Sequence, residues 1–196
     1  MSQRPARRIF VLEAAESKDG SSAITSIGIR LDRGGVQCTP YDRLAPSRRK
    51  EWDAFEETVT RLAQGRHLYI SGRFDHLPNG LQTVVVRQER RGVVVGMCRV
   101  PAKSDLHQVL VGNRGNWLGY LVTDRLLSPD EGTRIAAMAS ASGMMNEKVF
   151  ALCPNAYCGI EDGDDFDAFD LRCRTRDAPD ILAIVRSVFE ELSIEL

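Results

Sequence analysis

No apolar run in this sequence extends beyond about five residues, and the stretch Leu118 to Val122 is broken even there by Gly119. A bilayer-spanning helix needs roughly 20, so a membrane span is not expected. A charge surplus is missing too. The 196 residues sum to a net charge of −1, which gives no global attraction to nucleic acid or an anionic membrane. Histidine is scarce: His67, His76 and His107 are scattered. No Gly-x-Ser-x-Gly occurs, and Gly112-Asn-Arg-Gly-Asn-Trp lacks the phosphate-loop frame and its lysine. The basic segment Met1 to Arg8, with Arg4, Arg7 and Arg8, precedes an apolar segment, Ile9 to Leu12, too short for a signal-peptide core. A cytoplasmic protein is expected. Five cysteines, an odd number at irregular spacing, suggest reduced thiols rather than a disulfide frame.

What is present is ordinary globular material, 43% hydrophobic and 27% charged, enough for one domain with a proper core. Ile9 to Ala15 and Ala23 to Leu31 read as strands around Asp19-Gly20, with a short third stretch at Val36 to Thr39. Ser47 is placed to cap a helix from Arg48 to Gln64, stopped by Gly65. Trp52, Phe55, Val59 and Leu62 share one face of it. Strands are expected at 67–73, 81–88 and 93–100. Asn79-Gly80 would join the first two as a hairpin, and Glu89-Arg-Arg-Gly the second and third. Val84-Val-Val and Val93-Val-Val suit the centre of a sheet. A short helix near Asp105 to Val111 and a strand from Trp117 to Leu126 follow.

Ser128-Pro-Asp-Glu is the sharpest local signal, an N-cap serine, a first-turn proline and a glutamate at the third position, opening a helix to Ser142. Val149 to Cys153 and Phe166 to Arg174 read as a last strand pair around the loop Asn155 to Asp165. Asp177 would cap a final helix, Pro179 to Leu192. Helices and strands in blocks argue for an α+β layer fold.

From Glu51 onward the chain resembles the type III secretion chaperone-like superfamily, in particular the YbjN and TY-Chap domains of bacteria. The resemblance rests on three segments: Glu51-Trp-Asp-Ala-Phe-Glu-Glu with the strands after it, Tyr120 to Glu131 with its helix, and Asp180 to Phe189. It implies an antiparallel sheet with helices packed on one face, here from residue 46 to 196, with residues 1–45 as an N-terminal β extension. It also implies a non-enzymatic, often dimeric protein that binds another protein or helps assemble a secretion or defence machine. No cofactor is implied.

Three clusters invite chemistry. Cys153, Cys158 and Cys173 have sulfur but not the close paired spacing of a zinc site, so buried thiols on strands are the expected state. The acidic run Glu161 to Asp170 fails the calcium-loop frame from any starting residue, and reads as a solvated surface facing a basic partner. Arg48-Arg49-Lys50 and Arg87, Arg90 and Arg91 are basic clusters among interleaved acids.

These features favour a protein-binding module, acting as a homodimer, over two rivals. One is a nucleic-acid-associated accessory protein using the arginine clusters, of which Arg90 and Arg91 are the candidates for partner contact. The other is a small metal- or cysteine-dependent enzyme. Trp117, Tyr120, Met144 and Met145 are the apolar candidates for a partner-binding face.

Overall fold

The computed structural model describes residues 9–13, 24–31, 43–113, 116, 118–142, 147–162 and 168–195. It is an α+β protein built on one eight-stranded sheet. In chain order the elements are β1 (Ile9–Glu13), β2 (Ile24–Arg30), α1 (Pro46–Leu62), β3 (His67–Phe74), β4 (Thr83–Gln88), β5 (Val94–Val100), α2 (Lys103–Gly112) and β6 (Leu118–Thr123). Then come α3 (Pro129–Ser142), α4 (Glu147–Leu152), β7 (Ala156–Asp162), β8 (Ala168–Arg174) and α5 (Ala178–Glu191). The spatial order is β1-β2-β8-β7-β6-β3-β5-β4. Every pairing is antiparallel.

Alternate residues of a strand face opposite sides, and here the two sides build two cores. On the first, α1, α2 and α5 cover Leu68, Ile70, Tyr120, Cys158, Phe169 and Leu171. Trp52, Phe55, Val59 and Leu62 are buried as their spacing predicts, and Ile181, Val185, Val188 and Phe189 do the same for α5. The Phe55 ring meets Tyr120 and Phe169 edge-on, with centroids 5.3 and 5.1 Å apart. On the second side, α3 and α4 cover Tyr69, Met97 and Leu121. Helices therefore lie on both faces, not on one.

The N-terminal hairpin belongs to the same sheet. β2 runs along β8, with Ile27 opposite Leu171 and Ile29 opposite Phe169. The third N-terminal stretch, 36–39, lies outside the described residues.

Several local expectations shift. α1 begins at Pro46 after Ala45 with no side-chain cap, so Ser47 is inside the helix. A proline at the first position needs no hydrogen-bond partner for its nitrogen. Gly65 follows with φ of 73°, the left-handed conformation that ends a helix. The segment Val149 to Cys153 is not a strand, because Glu147 to Leu152 forms α4. The strand is Ala156–Asp162, within the stretch expected to be a loop. Val149 and Phe150 sit in the second core. A short apolar run does not separate buried strand from buried helix.

The chain turns at Asn79-Gly80, Gly80 having φ of 87°, yet β3 and β4 are not neighbours. β5 takes the place beside β3, and β4 pairs on the outside of β5. Burial explains the exchange. β5 is covered on both faces, as a central strand must be, whereas β4 is mostly exposed. The connection between β3 and β4 is held by the buried Asn113 at the end of α2. Its Oδ1 accepts from the His76 backbone N–H at 3.0 Å, and its Nδ2 donates to the Val109 carbonyl at 2.8 Å.

The capping box of α3 forms as read. The Glu131 N–H donates to Ser128 Oγ at 3.3 Å and the Ser128 N–H donates to Glu131 Oε2 at 2.8 Å.

Candidate functional site

β4 and β1 are the two end strands of the sheet among the described residues, and the outer edge of β4 carries exposed apolar side chains. In an antiparallel ladder, alternate residues turn their N–H and C=O toward the neighbouring strand. The Arg99 N–H donates to the Gln82 carbonyl at 2.9 Å, so Gln82 and Val84 face β5, while Thr83 and Val85 point outward. The register shifts between Val85 and Arg87, a bulge at Val86. Beyond it the Glu89 N–H donates to the Val93 carbonyl at 2.8 Å, which leaves Gln88 pointing outward as well. Among the described residues, no strand pairs with this side of β4.

The side chains there are unusual for an edge. Val84 packs under α3, where its Cγ2 lies near Gly132. Val85 looks to the other face and is 55% exposed, and Val86 is 41% exposed. Edges are ordinarily blunted by charge, proline or bulges; this one has the bulge at Val86 but keeps apolar side chains exposed beside it. Gly96, opposite Val85, has no room for a side chain, since a Cβ there would collide with the Val84 carbonyl oxygen.

Beyond the valines the edge turns basic. Arg87 pairs with Glu89 at 2.6 Å and Arg73 reaches the same carboxylate at 3.5 Å. Arg90 and Arg91 are exposed on the turn to β5. Arg91 has φ of 64° and ψ of 24°, a left-handed conformation uncommon outside glycine. Of the residues expected to meet a partner, these two arginines are on the surface beside exposed valines. Tyr120 is not; it is fully buried between the helices and the sheet. Its ring fits the aromatic cluster of the first core, which is why it cannot serve an interface. Trp117, Met144 and Met145 lie outside the described residues.

The other clusters resolve differently. Cys98, Cys153, Cys158 and Cys173 are free and buried. Cys158 faces Cys173 directly across β7 and β8 in the first core, whereas Cys153 belongs to the second. Burial pushes the Cys98 and Cys173 thiols up to about 12, so they are protonated at neutral pH and poor metal ligands or nucleophiles. Among the described residues, no three His, Cys, Asp or Glu side chains are grouped to hold a metal ion. The acidic run falls largely outside the described residues. At its ends Glu161 and Asp170 face each other, and burial raises the Asp170 carboxyl.

A cavity of about 540 Å³ lies between the end of α1 and the start of α2. Its cations are matched. Lys103 bonds Glu57 at 2.5 Å, Arg61 bonds Glu57 at 2.9 Å and Glu191 at 2.8 Å, and Arg66 pairs with Asp124 at 3.0 Å over the Tyr157 ring. The bond from Lys103 is the main reason the Glu57 carboxyl sits below its ordinary range. Beside it, His107 Nδ1 meets the buried Glu56 carboxylate at 2.7 Å. No sequence signal announces that pair, whose members are 51 residues apart.

The fold is an antiparallel α+β scaffold with β4 at one end of its sheet. No family model matches the chain, and neither a curated protein nor a solved structure matches it. Among the described residues, no helix is long and apolar enough to cross a membrane.

Proposed function

We propose that this protein is a non-enzymatic recognition module, chaperone-like or an accessory subunit of a bacterial secretion or defence system. It receives an extended segment of another protein along the outer edge of β4. The observation that carries this reading is the combination at one edge of outward-pointing backbone groups at Thr83, Val85 and Gln88 with exposed Val85 and Val86. Strand addition gives affinity through main-chain hydrogen bonds and selectivity through alternate side chains. A homodimer is part of the reading, following the resemblance.

The experiment compares capture from native lysate by the unaltered protein and by Val85→Lys, with and without nuclease, alongside light scattering for mass. The substitution puts a charge on the solvent face of an edge strand, a change that disfavours pairing. Loss of a stoichiometric, nuclease-resistant protein partner in the variant is expected. A partner lost on nuclease treatment, or retained equally by Val85→Lys, would overturn the reading.

A further inference from the structure

We propose that the β4 edge selects extended protein segments that are acidic on their N-terminal side, a specificity that rests on the strand-addition reading above. Every pairing in this sheet is antiparallel, so an added strand continues the pattern by running opposite to β4. Its C-terminal half then lies beside Thr83, and its N-terminal half beside Arg87 and the turn that follows. From Thr83 to Gly92 that stretch holds Arg87, Arg90 and Arg91 against one acid, Glu89. Arg73 and Arg87 share this carboxylate and are themselves 56% and 67% exposed. One glutamate thus answers four guanidinium groups, leaving positive charge for a partner to match.

The backbone at Arg91 adds an independent observation. Its φ of 64° is a conformation glycine adopts without strain, and the next residue, Gly92, does so at 80°. Arginine held there costs stability, a kind of outlier associated with binding sites. The charge also bears on which partner fits. A second copy added antiparallel would set its own Thr83 end beside Arg87, and residues 77–84 hold no acid to match the arginines. A nucleic acid would answer the charge but not the outward N–H and C=O groups or the valines. An acidic extended segment answers all three.

The test is fluorescence anisotropy on the full chain with labelled peptides. One carries a run of glutamates followed by alternating valine and threonine, and the second has glutamines in place of the glutamates. A labelled single-stranded DNA of equal charge is the third probe. At low salt the glutamate peptide should bind roughly tenfold more tightly than the glutamine peptide, about 1.4 kcal/mol, the scale of two or three exposed ion pairs. Added salt should bring the two together. Replacing Arg90 and Arg91 with glutamine should erase the difference and leave the glutamine peptide unaffected. Arg91→Gly should melt higher than the unaltered protein yet lose part of the preference, which separates binding from folding. Equal binding of both peptides, abolished by Val85→Lys, would overturn the acidic selectivity while strand addition stands. No binding of either peptide would overturn both, and DNA binding more tightly than the glutamate peptide would replace the proposal with a nucleic-acid one.

Discussion

The two faces of the sheet carry cores of different grain. The first is made of large side chains: Phe55, Phe74, Phe169, Phe189 and Tyr120 are all fully buried there. The second is a smaller cluster that holds Ala136, Ala139 and Ala156 together with Tyr69, Phe150, Met97, Leu121 and Ile135. Alanines let α3 approach the sheet closely, as Gly132 does over Val84 and Met97. The first face supplies most of the apolar volume, and the second fixes how the β4 end of the sheet is backed.

The difference can be broken by substitution. Phe55→Ala removes the ring that meets both Tyr120 and Phe169, and should cost about 3–5 kcal/mol in urea unfolding. Leu121→Ala in the second core should cost less, about 2–3 kcal/mol, because a smaller side chain is removed. Equal losses at the two positions would show that the faces do not differ in this way.

A smaller effect sharpens the same contrast through pH. Bonds from Arg125 first, and from Ser128, hold the Glu131 carboxyl at about 2, below its ordinary 4.5. A carboxylate whose folded pKa is depressed stabilises the fold above the unfolded value and loses that effect as pH falls through the folded one. The contribution to α3 should therefore be complete at neutral pH and fade between about pH 4.5 and 2. Melting curves of the unaltered protein and Glu131→Gln should differ at pH 6 and converge near pH 2. A gap that stays constant would remove the charge from the explanation.

Much of this architecture was legible in local sequence. Ser128 and Glu131 announce their capping box because both members lie within one turn. The helical faces of Trp52 to Leu62 and Ile181 to Phe189 follow from spacing alone. What failed was decided at long range. Val84, Val85 and Val86 have the composition of a central strand, and nothing nearby says that β5 will take the inner place. β7 contains Gly159 and ends in acids, which reads as a loop until β6 and β8 close on both sides. The candidate site was half legible. Arg90 and Arg91 stood out by charge, whereas the exposure of Val85 and Val86 follows from strand order, and Tyr120 went the other way into the core.

Strand order also sets a timetable. β2 finds its neighbour in β8, and the Thr25 and Thr175 hydroxyls bond at 3.0 Å across 150 residues of chain. At translation rates of roughly 5–20 residues per second, β8 leaves the ribosome about 7–30 s after β2. Until then Ile27 and Ile29 have no Leu171 or Phe169 to pack against, and one side of β2 lacks its partner strand. The nascent N-terminal hairpin is therefore exposed to other chains for as long as synthesis lasts, and slower translation lengthens that exposure.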